Sequence, residues 1–323
     1  MEIARPISFL YLNHSFFHRI QSFNFRILLI INKMRIAIFG NTYRTVIISH
    51  IKVLFEYFKD KDVTLMLDNE LYQFVREHGD CCTEHTEMIL GDDFEADMAL
   101  SIGGDGTFLN TAARIGRKDI PILGINTGRL GFLADVPSEA ILPSLDAILA
   151  KNFILEERAL LYVETSDGSL FDYPYALNEV SVQKQDSSSM ISINASVNGE
   201  MVHTYQADGL IVSTPTGSTA YSMSVGGPLV APQSQNFILS PVASHSLNVR
   251  PLIVPDSWTI ELEVHSRSQC YLVALDGRSK VLENSTKLRI TKADYTVKVI
   301  KQLNHTFFDT LKNKLMWGVD KRN

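Results

Sequence analysis

A short apolar strand at residues 96–102 runs directly into Gly103-Gly104-Asp105-Gly106-Thr107 and on into a helical stretch with Phe108, Leu109, Ala112, Ala113 and Ile115, ended by Gly116. No other feature constrains the fold as strongly. A glycine-rich turn at a strand's carboxyl end, opening a helix, belongs to an α/β architecture. Its three glycines let the backbone approach a ligand closely, and the helix N-terminus beyond them adds the positive end of a dipole. The turn can therefore cradle a polyphosphate, and Asp105 sets a candidate base inside it. A tight turn with Asp105 as a mere N-cap is the plainer reading, and the short motif alone leaves both open.

The surrounding text agrees with an α/β half. A strand at 35–40 leads to an amphipathic helix at Val46–Phe58, whose Ile47, Ile51, Leu54, Phe55 and Phe58 recur at helical spacing. Strands follow at 63–67 and 121–125, and Ser138 after Pro137 is expected to cap a helix running to Ala150. Beyond Lys151 the pattern turns to β segments at 154–164, 175–182, 190–197, 201–205, 210–213, 258–264, 271–275, 287–291 and 296–300. Asp167-Gly168 and Asn198-Gly199 read as hairpin turns between such runs. A last amphipathic helix is expected at 307–317, with Phe308, Leu311 and Leu315 on one face. The expected divisions are 1–33, 34–151, 152–302 and 303–323.

Residues 1–33 carry scattered aromatics and basic residues with no steady period, and a clean strand begins right after Met34. Translation is expected to begin at Met34, with 1–33 extraneous or disordered. The longest aliphatic run there, 27–31, is far too short to span a membrane. Thirty Lys and Arg against 36 Asp and Glu give a formal charge of −6, which offers nucleic acid and anionic membranes no global attraction. The three cysteines, Cys81, Cys82 and Cys270, form no disulfide framework and suit a reducing cytoplasm.

Several chemistries lose support. The chain has no Gly-x-x-x-x-Gly-Lys-Ser/Thr loop, and only Gly40 stands after the first strand, where a dinucleotide fingerprint would need three glycines. Cys81, Cys82 and His85 lack a clear fourth zinc ligand.

Two further stretches carry polar chemistry. Residues 207–228 hold Asp208-Gly209 and then Ser213-Thr214-Pro215-Thr216-Gly217-Ser218-Thr219-Ala220-Tyr221, rich in hydroxyls and free N–H groups, with a ring able to stack on a purine. Composition alone favours an ordinary Ser/Thr-rich turn. Asn178-Glu179 closes a run from Tyr173, and an amide beside a carboxylate can bond adenine or ribose hydroxyls, although such dipeptides are also common on surfaces.

Taken together, the Gly-Gly-Asp-Gly turn, the Asn-Glu pair and the Asp-Gly…Ser-Thr-Pro-Thr-Gly-Ser-Thr-Ala-Tyr segment resemble the NAD kinase family, in order and spacing from Met34 to the C-terminus. Gly124-Ile125-Asn126-Thr127-Gly128-Arg129-Leu130-Gly131-Phe132-Leu133 resembles a family segment as well. The resemblance implies an α/β N-terminal domain, a β-rich, sandwich-like C-terminal domain, a final segment returning to the first, and a homo-oligomer. It implies transfer of the γ-phosphoryl group of ATP to the 2′-hydroxyl of the adenosine ribose of NAD, giving NADP, with a divalent cation such as Mg²⁺.

By the same resemblance Asp105 is the expected base, and Gly103, Gly104, Gly106 and Thr107 hold phosphates. Asn178 and Glu179 hold adenosine groups, Asp208 meets the nicotinamide end, and Thr219, Ala220, Tyr221, Ser222, Met223 and Ser224 line the adenine pocket. Asn110, Ser189 and Gln206 stand where the family often carries a basic or His residue, and Arg278 is a candidate to restore charge. His245 and Arg250 sit in another family-like stretch. The rivals are a diacylglycerol or sphingoid-type lipid kinase, which shares the glycine turn, and a dinucleotide sensor without turnover.

Overall fold

The computed structural model describes residues 33–43, 45–79, 86–128, 131–168, 171–185, 189–303 and 305–318. The expectations for 1–32 and for Cys81, Cys82 and His85 lie outside these residues. Residues 35–323 form one compact unit.

The first half alternates as its periodicity predicts. Strand β1 (Met34–Gly40) is followed by α1 (Val46–Phe58), which buries Ile47, Ile51, Leu54 and Phe58 at helical spacing. Then come β2 (Val63–Asp68), α2 (Asn69–His78), β3 (Thr86–Ile89), β4 (Met98–Gly103), α3 (Asp105–Ile115) and β5 (Ile122–Asn126). These strands pair in parallel in the order β5-β4-β1-β2-β3. The chain winds outward from β1 to β3 and then returns to place β4 on the other side of β1. The boundary between β1 and β4 is thus the switch point, outside whose carboxyl ends open α/β sheets bind ligands. After a two-residue β6 (Val136–Pro137), Ser138 starts a 3₁₀ turn rather than capping a helix, and its hydroxyl bonds the Glu139 carboxylate; α4 (Ile141–Leu149) begins three residues later.

The second half is β-rich: β7 (Ile154–Thr165), β8 (Tyr175–Ala176), β9 (Glu179–Lys184), β10 (Ile191–Val197), β11 (Glu200–Ala207) and β12 (Gly209–Ser213). A 3₁₀ turn at Thr216–Thr219 and the one-turn α5 (Tyr221–Ser224) lead to β13 (Asn236–Val242), β14 (Leu252–Pro255), β15 (Ile260–His265), β16 (Cys270–Leu275) and β17 (Arg278–Glu283). The segments expected at 287–291 and 296–300 are one strand, β18 (Leu288–Lys301), bulged between Lys292 and Thr296. The segment expected at 175–182 is instead broken at Leu177-Asn178. Asn198 and Gly199 both take positive φ, as a type I′ hairpin requires, whereas at Asp167-Gly168 only the glycine does.

Strands β14-β13-β12-β9-β16-β17 form an antiparallel sheet. Its inner residues, among them Val180, Val182, Leu210, Val212 and Tyr271, pack against Ile191, Ile193, Leu262, Leu288 and Ile290 of the other sheet. That other sheet is continuous with the α/β half, because β18 pairs in parallel with β5 at Val299 and Ile122. The C-terminal helix α6 (Phe307–Leu315) opens with a Thr306/Asp309 capping box and returns to the first half, where Phe307 packs near Phe132. It buries Thr310 and Leu311, while Phe308 is 64% exposed, contrary to the expected apolar face.

Candidate active site

Asp105 is the first residue of α3, and its carboxylate turns toward the loop after β5 rather than capping its own helix. Its Oδ1 accepts the N–H groups of Leu133 (2.9 Å) and Ala134 (3.0 Å), and its Oδ2 accepts that of Phe132 (3.0 Å). Gly131 makes the approach possible, since a Cβ there would fall 2.0 Å from Asp105 Oδ1. The family-like segment at 124–133 thus acts as a socket for the carboxylate. Just beyond the socket, Asp135 forms an ion pair with Lys301 at 2.6 Å, both side chains under a tenth exposed. The end of β18 therefore anchors the loop that holds Asp105. From α6, the Lys314 ammonium lies 3.5 Å from Asp105 Oδ2.

The break between β8 and β9 has one cause that sequence reasoning missed. Asp276 accepts three successive N–H groups, those of Leu177 (2.6 Å), Asn178 (2.8 Å) and Glu179 (3.1 Å). It stands with Gly277 in the β16–β17 turn, both at positive φ. The pattern Leu275-Asp276-Gly277-Arg278 carried this signal as a further Asp-Gly hairpin turn. Burial and proximity to Asp276 push the Glu179 carboxyl up to about 7, against a lowering by the Tyr221 N–H that bonds it. Burial also raises Asp276, opposed by its three N–H donors and Arg278.

The hydroxyl-rich segment folds over the same break. Thr214 donates its N–H to Asn178 O and its hydroxyl to Leu177 O, and Gly217 N–H returns to the Thr214 hydroxyl. A Cβ at Gly217 would lie 2.0 Å from Asn178 O, so only glycine fits. Two buried acceptors, Asn178 Oδ1 and Glu179 Oε2, are left without a hydrogen-bond partner, an arrangement costly enough to demand an explanation. Thr216 and Thr219 line a small cavity together with Phe132 and Leu133, two of the residues that hold Asp105. Asp105, Asn178, Glu179 and Thr219–Tyr221 are thereby brought to one region.

Of the other expected residues, Ser222 is fully buried against Ser240, and Met223 and Ser224 continue the short α5. Asp208 is not with the group: Gly209 pairs with Gln183 while Ser213 pairs with Glu179, so Asp208 lies roughly 13 Å or more along the strand. There it forms an ion pair with Lys184 at 2.7 Å. Arg278 does not restore charge to the site; it donates to Tyr173 O and Tyr175 O and sits over the Tyr173 ring. His245 is exposed, and Arg250 bonds the carbonyls of Leu247 and Val249. Gln206 bonds Ser192.

On the other side of α3, a cleft of about 500 Å³ is lined by Gly40, Asn41, Tyr43, Gly106, Thr107, Asn110 and Arg114, with Asp68 and Glu70 at its edge. It lies at the switch point. Gly104 is the N-cap of α3 and Gly106 is exposed in its first turn, whereas Gly103 is buried as the last residue of β4. No described helix is long and apolar enough to cross a membrane.

The family models for the ATP-NAD kinase N-terminal and C-terminal domains match residues 36–153 and 177–302. An NAD kinase of Bacteroides fragilis is 49% identical over 289 residues, covering 90% of this chain and all of the relative. One from Cytophaga hutchinsonii is 40% identical over 296 residues with the same coverage. Among solved structures, an NAD kinase from Archaeoglobus fulgidus in complex with ATP superposes with a TM-score of 0.69 at 28% identity, covering 88% of this chain and 99% of that one. A yeast NADH kinase complexed with NADH gives a TM-score of 0.81 at 19% identity over 89% of each chain, a likeness of fold.

Proposed function

The chain belongs to the NAD kinase family, and from that premise we propose how its residues carry a phosphoryl group from ATP to the 2′-hydroxyl of the adenosine ribose of NAD. The observation that carries the reading is the position of Asp105, held by the 132–134 socket between the switch-point cleft and the Asn178–Glu179 break. In this reading the ATP phosphates lie at the N-terminus of α3, where Gly104, Gly106 and Thr107 present backbone N–H groups and the helix dipole favours negative charge. NAD lies on the other side. The unpartnered acceptors Asn178 Oδ1 and Glu179 Oε2 suit hydroxyl or amino donors of an adenosine, and the Tyr221 N–H bonded to Glu179 supports a reading in which the Tyr221 ring meets the base.

Asp105 Oδ2 accepts the 2′-hydroxyl proton as the oxygen attacks the γ-phosphorus, and the bond from that phosphorus to the β–γ bridging oxygen breaks with its electron pair leaving on ADP. Such transfer needs positioning and charge compensation above all, which a glycine turn supplies without a P-loop. Among the described residues no cluster of three or more His, Cys, Asp or Glu side chains could cage a metal ion. The carboxylates in the cleft lining are Asp68, already paired with Arg114, and Glu70, and these are the residues that would meet a Mg²⁺ ion carried in on the phosphates. Bound there, the ion would neutralise charge on the β- and γ-oxygens.

The experiment is to incubate purified protein with Mg²⁺, ATP and NAD, diacylglycerol or a sphingoid base, and to identify products by chromatography and ³¹P NMR. The reading expects a 2′-phosphate on NAD and no lipid product; a phosphorylated lipid, or NAD binding without ATP-dependent product, would contradict it. A homo-oligomer and a cytoplasmic address complete the proposal, the first read by sedimentation velocity and the second by cell fractionation.

A further inference from the structure

Phosphoryl transfer without a P-loop leaves open which side chain balances the charge that P-loops balance with their lysine. The positions where a basic residue was expected do not supply it: Asn110 is neutral and Gln206 is bonded to Ser192. The cations nearby are committed elsewhere. Arg114 pairs with Asp68 and Asp92, Lys301 is buried against Asp135, and Lys118 bonds the carbonyls of Arg114 and Ile115.

Lys314 is different. It comes from the C-terminal helix, 209 positions further along the chain, and its ammonium lies 3.5 Å from Asp105 Oδ2 with both side chains 30% exposed. It also lies 4.4 Å from the centre of the Phe132 ring, and Phe132 is the residue whose N–H fills the other contact to Oδ2. The helix is fixed in turn by its capping box, by buried Thr310 and Leu311, and by Phe307 beside Phe132. The cation is therefore held at the carboxylate before any substrate arrives.

A carboxylate offers about four lone-pair directions. In Asp105 two on Oδ1 and one on Oδ2 are taken by the socket, and Lys314 faces the one that remains. At 3.5 Å the Lys314 hydrogen bond to Oδ2 is longer than the roughly 2.7–2.9 Å of a tight charge-assisted bond, so it is a weak contact that an incoming hydroxyl can displace.

We propose that Lys314 is a catalytic residue of the phosphoryl transfer: as the 2′-hydroxyl takes its place at Asp105 Oδ2, the ammonium passes to the γ-phosphoryl oxygens and compensates their charge in the transition state. The lysine stays protonated throughout. The proton of the hydroxyl goes to Asp105, and the electron pair of the broken P–O bond leaves on ADP. This rests on the reading of Asp105 and the kinase site above, and it makes the C-terminal helix part of the active site.

The test compares wild type, Lys314→Met, Lys314→Arg and Lys312→Met, the last on an exposed position of the same helix. For each, kcat and KM for ATP and NAD, NAD affinity by calorimetry, and the thermal midpoint are measured. Lys314→Met is expected to lose on the order of 100-fold in kcat, with NAD affinity within twofold of wild type and an unchanged midpoint. Lys314→Arg is expected to recover part of the rate, and Lys312→Met to match wild type. Turnover within twofold of wild type in Lys314→Met overturns the role of the lysine while leaving the kinase reading intact. So does a loss of rate that tracks lost NAD binding or a lowered midpoint and is not rescued by arginine. A wild type that binds NAD and ATP but forms no NADP overturns the kinase reading and the lysine's role with it.

Discussion

At the scale of single residues the site is built from carboxylates in contrasting settings. Asp105 is surrounded by three backbone N–H donors and a lysine. Glu179 sits beside another carboxylate in a poorly solvated position and is pushed up to about 7. A carboxyl raised above its unfolded value stabilises the fold fully below that unfolded value, near 4.5, and the stabilisation is lost as pH rises through about 7. Replacing Glu179 by glutamine removes the ionisation. We expect Glu179→Gln to gain stability relative to wild type only as pH rises from 5 to 8.5, by up to about 3 kcal/mol, and to bind NAD more weakly. Urea melts across that range check the first effect and calorimetry the second. A stability difference independent of pH would show that Glu179 is not held in its neutral form by the fold.

At the scale of elements, the decisive event is the interruption between β8 and β9, which takes Leu177 and Asn178 out of the strand ladder and leaves Asn178 and Glu179 with buried acceptors lacking a partner. Asp276 makes it by accepting three consecutive N–H groups that a continuous ladder would have paired. Asp276→Ala leaves three buried donors unpaired, at about 1–3 kcal/mol each before relaxation. The expected result is a loss of several kcal/mol in urea melts and a KM for NAD raised about tenfold or more, with the KM for ATP little changed. Equal effects on both substrates would place Asp276 outside the acceptor site.

The same elements show what the sequence carries and what it hides. Helix α1 is legible to the residue because its apolar positions repeat at 3.6 and nothing competes with them. Helix α2 follows β2 with no glycine or proline to mark the change, and it goes unnoticed. Strand β17, Arg278-Ser279-Lys280-Val281-Leu282-Glu283, buries only Leu282 and lacks an apolar run. Strand β18 reads as two because its bulge places polar Lys292 and Asp294 in mid-strand. The glycine turn stands out by its density of glycines, whereas the Asn-Glu pair and the hydroxyl segment, each ordinary alone, become visible only through their order and spacing with that turn. The roles of Asp276 and Lys314 are not visible, because each acts on residues about 100 or more positions away; the Asp276-Gly277 pair marks a turn but not what its carboxylate holds, and no local pattern marks Lys314.

At the scale of the molecule, one sheet runs from the α/β half into the β half through the β5–β18 pair. Beyond β18 the chain returns as α6 to the helix that carries Asp105. The architecture thus brings three sequence-distant parts to a single carboxylate: the glycine turn with its cleft, the break in β8–β9 with the 214–221 segment, and the C-terminal helix. In the proposed function the flanking parts bind the two substrates, and Asp105 at their meeting point takes the proton. The separation of binding from proton transfer is the central claim, and Asp105→Asn tests it most directly, by comparing NADP formation with NAD and ATP affinities measured by calorimetry on the same preparation. The prediction is a fall in kcat on the order of 100-fold or more, with both affinities within a few-fold of wild type. Turnover close to that of wild type would contradict the account, because it would show that the proton of the 2′-hydroxyl goes elsewhere.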